Sequence, residues 1–473
     1  MIQLINNLFG VLFSILESII SGICDLAVTA IPSKRKEGYT ADFGKTSDML
    51  SKNGNGFSIG EWSNTLKESH NHMICIGGSG SKKSTSIVYN TILTTNNASL
   101  IITDPSKELL NGTAAALAEK GYKILVLDYN NGEKSEGFSV LLKSTSYTDV
   151  YKIANTLVRN SLEGSSYDYW SQSAEAAIAF FCKYLVGNAP REYVNLPNVL
   201  HLLRVFSHSP KLIDVLMVKT DANLLSEYKA LVATPDKTLQ STLATAKNAL
   251  RIYETPDIAK ITSYNTIDFA AFRKEKCALY ICSSASDSFL YRAITATFFE
   301  SFFSFILSKD PSYAGMPIKF IIDEAATIKI SLSQALALTR KYHVSIATFW
   351  QDYEQIENIY GKHESSNILS NSQLKVFMPS GQPLHTCKML SELLGKYSYD
   401  TDAGQTKIRE LLTPQEIHGL KKVLVLNGNK QPLLIEPKQY FEIGKLKKMT
   451  ELPRFISENK LSDTGTLFLP VDK

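Results

Sequence analysis

Between residues 72 and 127 the sequence alternates short apolar runs with amphipathic ones, and this alternation restricts the fold more than any other feature. The apolar runs predict strands at 73–76, 100–103 and 123–127, and the segments between them predict helices at 84–94 and 107–120. A repeated strand-helix-strand order indicates a parallel sheet with helices on both faces. We therefore expect an α/β fold.

The strand pattern stops after this region and returns later in the chain. From about 148 to 255 long helical patterns follow one another, which predicts an all-helical insertion. The later apolar runs predict strands that complete the sheet, at 277–282, 318–322, 344–349, 374–378 and 423–426. Residues 32–62 are expected to form a connector with a short hairpin, and the tail after 448 to be loosely structured.

The first thirty residues are apolar but lack the basic start of a cleaved signal peptide. Their apolar side chains recur at helical spacing, which predicts an amphipathic, membrane-associated helix over 1–31. Glu17 would be costly facing lipid, so spanning the bilayer, lying in its interface and packing on the protein's own core all stay open. If the helix spans, the Lys34, Arg35 and Lys36 cluster places the rest of the chain in the cytoplasm.

Charge and cysteine content exclude some classes of protein. A formal charge of +4 over 473 residues does not suit a polycation that coats nucleic acid, so any DNA contact must come from local patches. The cysteines have no close pair with metal-ligand spacing, and we expect them to be reduced core thiols. They are Cys24, Cys75, Cys182, Cys277, Cys282 and Cys387.

A glycine-rich segment joins the first predicted strand to the first predicted helix, which is where a phosphate-binding loop (P-loop) stands. In the pattern G-x-x-x-x-G-K-[ST], Gly77 is the first glycine, Lys83 would reach the β- and γ-phosphates, and Ser84 would hold Mg²⁺. Lys82 occupies the sixth position, where glycine lets the backbone approach phosphate. A plain turn with solvated lysines is the alternative. The candidate nucleotide-binding residues are Gly77, Gly78, Ser79, Gly80, Ser81, Lys82, Lys83, Ser84 and Thr85.

Two later strands end in candidate catalytic side chains. The run 318–322 ends in Asp323 and Glu324, of which the first would bind Mg²⁺ and the second would activate water. The run 344–349 leads to Gln351, which could sense the γ-phosphate. Arg340, before that strand, is either a finger that acts on a neighbouring subunit or an ordinary surface arginine.

Together these features resemble one family, the conjugative coupling-protein ATPases (TraG-like) of type IV secretion systems. The likeness runs in family order from about 50 to 430. Its segments are 53–60 (NGNGFSIG), 99–109 (SLIITDPSKEL, where the family usually has TDPKGEL), Tyr169-Trp170 with 174–176, 243–250 followed by Pro256, Asp323-Glu324, and Gln351 with Tyr360-Gly361 and Asn371.

The resemblance implies a RecA-like P-loop NTPase with a parallel sheet, an all-α inserted domain and an N-terminal membrane helix. It also implies a homo-hexamer with nucleotide at each subunit interface. Two features depart from the family: Lys82 replaces a glycine, and the N-terminus has room for one membrane segment where members usually have two. The expected division is an N-terminal helix (1–31), a connector (32–68), a nucleotide-binding domain in two parts (69–147 and 256–448), the helical insertion (148–255) and a tail (449–473).

The function implied is that of an ATPase with ATP and Mg²⁺ as cofactors, in which Glu324, Lys83, Gln351 and Arg340 are the catalytic candidates. Its expected partners are DNA bound without sequence preference, a relaxase or relaxosome, type IV secretion channel proteins and the bacterial inner membrane, with the ATPase core in the cytoplasm. Two alternatives stay open. One is a catalytically weakened scaffold that docks substrate to a membrane secretion complex, and the other is a soluble DNA-processing motor.

Overall fold

The computed structural model describes residues 39–144, 146–162, 167–284, 286–312, 315–379, 381–458, 460–461 and 465–471. The predicted membrane helix over 1–31 lies outside these ranges. Among the helices that are described, none combines the length and the apolar character needed to cross a bilayer. The chain divides into two compact units, Met1–Phe43 with Pro383–Gly419, and Gly44–Gln382 with Leu420–Lys473.

A nine-stranded sheet forms the centre of the larger unit. The strands, numbered along the chain, are β1 (Ser58–Ile59), β2 (Trp62–Ser63), β3 (Met73–Ile76), β4 (Ser99–Asp104), β5 (Lys123–Asp128), β6 (Cys277–Cys282), β7 (Ile318–Ile322), β8 (Val344–Trp350), β9 (Leu374–Phe377), β10 (Lys396–Asp400), β11 (Thr406–Glu410), β12 (Val423–Asn427) and β13 (Leu433–Ile435). The order across the sheet is β13-β12-β9-β3-β8-β7-β4-β6-β5. Neighbours from β9 to β5 are parallel, while β12 and β13 are antiparallel additions.

The α/β class and the mainly parallel sheet that the sequence predicts are therefore confirmed. Every residue of β3, β4, β6, β7 and β8 is buried, because helices cover both faces of the sheet. This double burial is why the strands read as continuous apolar runs rather than alternating ones. The short hairpin expected in the connector is β1 and β2.

Helices account for most of the remaining structure. Their bounds are Thr46–Met49, Leu66–Ser69, Tyr89–Thr94, Glu108–Glu119, Val140–Lys143, Tyr147–Ser161, Tyr169–Asn188, Leu196–His208, Pro210–Met217, Ala222–Val232, Asp236–Ala249, Pro256–Ser263, Ala271–Lys274, Arg292–Leu307, Leu332–Thr339, Tyr353–Asn371, Leu384–Leu394, Pro414–His418 and Gly444–Thr450. Between β5 and β6 the described elements are all helical, and the predicted insertion at 148–255 falls inside this stretch. The domain boundaries themselves stay predictions.

Aromatic packing attaches the helix Arg292–Leu307 to one face of the sheet. The rings of Phe299, Phe302 and Phe303 surround Phe320 on β7, with centroids 5.8, 5.5 and 5.0 Å from it. Such ring pairs add about 0.5–1.5 kcal/mol each to the burial of their area. This face of β7 is therefore held firmly, which fixes the strand that leads to the two carboxylates.

The larger unit also contains a buried lysine, Lys319 on β7, which is fully inaccessible to solvent. Its ammonium donates to the carbonyl oxygens of Asn55 and Gly56, both at 2.7 Å, and to the hydroxyl of Thr95 at 3.1 Å. The three donors of an ammonium thus meet three acceptors. Lys319 ties the segment before the P-loop to the strand that carries the carboxylates.

The last described residues of the tail pack against the helical stretch. Asn198 donates through its side-chain amide to the carbonyl of Leu467 at 2.8 Å and accepts from the backbone N–H of Leu469 at 2.7 Å. After Thr450 the described residues form no further helix or strand. The tail is thus irregular in backbone but anchored by hydrogen bonds.

The smaller unit is a helix, a hairpin and a second short helix. Strands β10 and β11 pair antiparallel, with Lys396 opposite Glu410. The backbone N–H of Leu411 returns to the carbonyl of Gly395 at 2.9 Å, and Arg409 pairs with Glu416. The sequence analysis did not predict this hairpin.

Candidate functional site

The predicted P-loop leaves β3 at Gly77 and enters a helical run at Ser84. The backbone N–H of Gly77 donates to the carbonyl of Trp350, 3.0 Å away, so the loop begins as a continuation of the sheet. A Cβ on Gly77 would lie 2.5 Å from the Cβ of Met378, so only glycine fits there. The run starts with one π-helical turn, Ser84–Val88, before the α-helix. Such turns are rare and often mark functional sites.

Lys82 adopts a left-handed backbone conformation, with φ of +70°. Its carbonyl accepts from the backbone N–H of Ser86 at 2.9 Å and from the hydroxyl of Ser86 at 2.7 Å, which fixes the peptide. A left-handed conformation costs an ordinary L-residue about 1–2 kcal/mol, and glycine nothing. The structure therefore gives a second reason, backbone conformation, for the glycine usual at this position. The side chain of Lys82 is exposed.

Lys83 folds back over the start of its own loop. Its ammonium donates to the carbonyl of Gly77 and, at 3.1 Å, to that of Gly78. The lysine is thus held at the centre of the loop, where a P-loop binds phosphate.

The predicted carboxylates stand at the end of β7. The hydroxyl of Thr103, on the neighbouring strand β4, donates to the carbonyl of Asp323 at 2.9 Å. Burial and the charge of Glu324 raise the pKa of Asp323 to about 6, and the charge of Lys83 acts against this rise. Asp323 and Lys83 therefore share one electrostatic environment. Glu324 is exposed and has φ of +50°, which turns the chain sharply away from the strand.

Sheet register brings the third predicted element to the same edge. Strand β8 lies between β3 and β7, with Trp350 opposite Ile76 and Thr348 opposite Ile322. Gln351 therefore follows β8 between the P-loop and the carboxylates. Its backbone N–H donates to the side-chain oxygen of Gln355 at 3.1 Å, and its side chain is exposed.

Arg340 lies away from this group. It begins the 3₁₀ turn Arg340–Tyr342 before β8, whereas the P-loop edge follows the end of that strand. Its charge acts on His72, directly before β3, which also places it at the amino edge of the sheet. Within one chain Arg340 is no part of the site, and its role toward a neighbouring subunit stays a prediction.

Comparison with known proteins decides the family. The model of the family described as type IV secretory system conjugative DNA transfer matches residues 26–463. The chain belongs to this family.

Relatives and solved structures agree with that assignment. The type IV secretion system-coupling protein VirD4 of Bartonella quintana (strain Toulouse) is 24% identical over 381 residues, which cover 73% of this chain and 58% of that protein. The bacterial conjugative coupling protein TrwBdeltaN70, in complex with sulphate, has a TM-score of 0.68 at 16% identity and covers 91% of this chain and 99% of that one. TrwB in complex with ADP and Mg²⁺ has a TM-score of 0.67 at 17% identity, with 87% and 95% covered. These likenesses show that the chain has the fold of this coupling protein.

The conjugative-transfer pattern also explains a residue that the sequence analysis gave no role. Lys107 stands where the family usually has the glycine of TDPKGEL, and its φ is +60°. Its ammonium pairs with the carboxylate of Asp128 at 2.7 Å. Two lysines, Lys82 and Lys107, thus occupy left-handed positions in loops at the carboxyl edge of the sheet. The buried Asp104, which accepts from the backbone N–H of Leu110 at 2.7 Å, fixes the second of these loops.

A cavity of about 650 Å³ adjoins the P-loop in this coupling-protein fold. Its walls include Lys82, Met378, Lys438 and Gln439. The hydroxyl of Thr85 donates to the side-chain oxygen of Gln439 at 3.0 Å, which fixes the wall to the loop. Sequence reasoning missed this wall because Gln439 lies far along the chain from Thr85 and has no motif of its own.

The raised pKa of Asp323 leads to a stability prediction. Because folding raises this pKa from 3.8 to about 6, the ionised carboxylate destabilises the folded protein above pH about 6, and this penalty disappears as pH falls toward 3.8. Asp323→Asn should therefore raise the free energy of unfolding near neutral pH by about 1–3 kcal/mol. Denaturant unfolding of the nucleotide-free protein measures this gain, which should shrink as the pH is lowered toward about 5.

Asp128→Asn is the matched control. It removes the carboxylate that pairs with Lys107, so it should not stabilise the protein. An Asp323→Asn variant that is less stable than the wild type near neutral pH would contradict the electrostatic account of the site.

Proposed function

We propose that this chain is an Mg²⁺-dependent ATPase that drives DNA toward a type IV secretion channel. The observation that carries the proposal is the convergence of Lys83, Asp323, Glu324 and Gln351 at one edge of strands β3, β8 and β7, in a chain of the conjugative DNA transfer family. Support comes from a solved structure of TrwB, a protein of the same fold, in complex with ADP and Mg²⁺.

Each of these residues has a role that follows from its placement. Lys83 and the P-loop N–H groups bind the β- and γ-phosphates. Glu324, exposed beside Asp323, accepts a proton from a water whose oxygen bonds to the γ-phosphorus, while the bond from that phosphorus to the bridging oxygen breaks. Gln351, between the two groups, donates to a γ-phosphate oxygen. The products are ADP and inorganic phosphate.

The donors present also suit Mg²⁺. A magnesium ion bound to nucleotide takes one or two protein oxygens and fills its remaining positions with phosphate and water. Ser84, directly after Lys83, offers a hydroxyl, and Asp323 offers a carboxylate in the electrostatic reach of that lysine. Mg²⁺ would supply charge neutralisation of the phosphates. We assign the ribose and base to the adjoining cavity of about 650 Å³.

The wider assembly is part of the same proposal. The chain spans 58% of the length of VirD4 from Bartonella quintana, so activity and partners are inferred rather than transferred whole. We infer a homo-hexamer at the bacterial inner membrane that receives DNA, with a relaxase, from the cytoplasm. Its DNA binding is expected to be independent of sequence and to weaken as salt rises.

A second candidate function is a scaffold with a weakened nucleotide site. The observation that favours it is Lys82, a lysine at φ of +70° in the P-loop. If the left-handed lysine distorts the loop, nucleotide binding fails and the chain acts by docking substrate alone.

A series at position 82 separates these functions. Lys82→Gly and Lys82→Asn remove the charge but accept a positive φ, whereas Lys82→Val removes the charge and resists it. We expect the first two to bind ATP within about threefold of the wild type, and Lys82→Val to bind roughly tenfold more weakly. Titration calorimetry with ATP and Mg²⁺ measures this.

Lys83→Ala provides the baseline, since it removes the central cation of the loop. A wild type that binds ATP no better than Lys83→Ala would contradict the ATPase proposal and favour the scaffold. Equal losses in all three position-82 variants would show instead that the charge of Lys82, not the backbone conformation, determines affinity.

A further inference from the structure

A second pocket, of about 330 Å³, lies beside the turn that follows Asp323 and Glu324. The cationic side chains that line it are Arg159, Arg292 and Lys329, and the aromatic ones are Tyr167 and Phe289. No aspartate or glutamate is among its described lining residues. This basic and aromatic pocket shares no residue with the P-loop or its cavity.

The positive charge in this pocket is not neutralised by the protein. Arg159 and Lys329 are exposed, and in the described ranges neither forms an ion pair. Burial and the nearby charge of Arg159 lower the pKa of Lys329, so the two cations face each other. Glu175, an acid near the pocket, accepts hydrogen bonds from the Tyr167 hydroxyl and, at 2.8 Å, from Asn155. An anionic ligand would relieve the repulsion between the two cations.

The aromatic side chains offer flat surfaces beside these cations. Phe289 is 46% exposed, and the guanidinium of Arg292 lies 3.8 Å from its ring centroid. The guanidinium of Arg159 lies 4.7 Å from the ring of Tyr167. A phosphate with an attached planar base matches this combination, since phosphates bind arginine and lysine while bases stack on aromatic rings.

One buried side chain connects the pocket to the catalytic turn. Asn160 donates to the carbonyl of Lys329 at 2.9 Å and accepts from its N–H at 3.1 Å. Its own carbonyl accepts from Arg292. Between Lys329 and Glu324 the chain forms a single 3₁₀ turn, closed by the N–H of Thr327 on the carbonyl of Glu324 at 2.9 Å. A ligand on Lys329 therefore acts within one turn of the proposed general base.

We propose that this pocket binds single-stranded nucleic acid, with backbone phosphates on Arg159 and Lys329 and a base stacked on Phe289. The inference rests on the proposed function and names where the moving strand touches this chain. A pocket of about 330 Å³ admits one nucleotide at a time, and only an unpaired strand can present an unstacked base to the ring. Because Asn160 links Lys329 to the turn after Glu324, strand binding also stimulates hydrolysis.

The charge contribution is tested with the double variant Arg159→Ala/Lys329→Ala of the full chain. Fluorescence anisotropy with labelled oligothymidine should give roughly tenfold weaker binding at moderate salt, because two phosphate contacts are lost. The slope of log affinity against log salt should become shallower by about 1.4, at about 0.7 per contact. The rate of ATP hydrolysis with DNA, divided by the rate without it, should fall toward one.

The double variant Lys445→Ala/Lys448→Ala is the control. It removes the same number of exposed positive charges from a helix outside the pocket, so affinity and salt slope should stay near those of the wild type. Equal losses in the two double variants would mean that total charge, not this pocket, binds DNA, and would overturn the inference.

Phe289→Ala tests stacking separately from charge. Loss of one stacked base should weaken oligothymidine binding roughly tenfold while leaving the salt slope unchanged. Binding of a blunt duplex should not change. An equal loss with the duplex, or none with the single strand, would overturn the stacking assignment.

The wild type separates failure of the inference from failure of the proposed function. If the wild-type chain binds no DNA at low salt, the proposed DNA pump fails and this pocket fails with it. If the wild type binds oligothymidine and all pocket variants bind equally well, the pump survives and the inference alone is overturned.

Discussion

Glu324→Gln should bind ATP as tightly as the wild type and hydrolyse it at least about a hundredfold more slowly. The substitution keeps the shape of the side chain but removes the group that accepts the proton from water. Lys83, which holds the phosphates, is untouched, so binding persists. Glutamine also accepts the left-handed backbone at φ of +50° about as well as glutamate does, so the turn should not change.

Two measurements together check this result. Titration calorimetry gives ATP affinity, and release of inorganic phosphate gives the rate of hydrolysis. The control is Glu354→Gln, which removes an exposed carboxylate from the first turn of the helix after Gln351. Hydrolysis at the wild-type rate by Glu324→Gln would show that another residue is the general base.

The strands of the central sheet could be predicted because both faces of a parallel sheet are covered. Strand β7 contains Ile318, Phe320, Ile321 and Ile322, all buried, and such a run has few alternatives to a strand at the centre of a sheet. Its terminal carboxylates then had to lie at the carboxyl edge. The position of the candidate site followed from topology once the order of strands and helices was known.

The hairpin of the smaller unit could not be predicted in the same way. Strand β11 (Thr406–Glu410) is half-buried or exposed throughout and has only one apolar residue, Ile408. Its stability comes from pairing with β10 and from contacts such as the Arg409 and Glu416 pair. No local apolar pattern announces contacts of that kind.

The details of the site that sequence reasoning missed depend on distant residues or on backbone conformation. The contact of Thr85 with Gln439 joins the P-loop to a segment near the end of the chain, which no motif identifies. The positive φ of Lys82 is also invisible in the sequence, since lysine rarely adopts it. The motif correctly marked that position as unusual but could not give the backbone reason.

The second large effect is expected at Lys319, where Lys319→Met should lower the free energy of unfolding by about 3 kcal/mol at about pH 8.5. Methionine fills similar volume but leaves the carbonyls of Asn55 and Gly56 without their donor, and each buried unsatisfied group costs about 1–3 kcal/mol. The control is Lys375→Met on β9, where a partly buried lysine donates to the single carbonyl of Ser372 at 2.8 Å. Its loss should cost less than half as much.

The pH dependence of this difference tests the physical cause. Burial lowers the pKa of Lys319 from 10.5 to about 7, so between these values the unfolded chain binds more protons than the folded one. The contribution of Lys319 to stability therefore rises with pH, by about 1.4 kcal/mol per unit, and Lys319→Met lacks this rise. The gap in unfolding free energy between wild type and variant should widen by about 2 kcal/mol from pH about 7 to about 8.5. A gap that stays constant over this range would mean that lost packing, rather than the buried ammonium, explains the destabilisation.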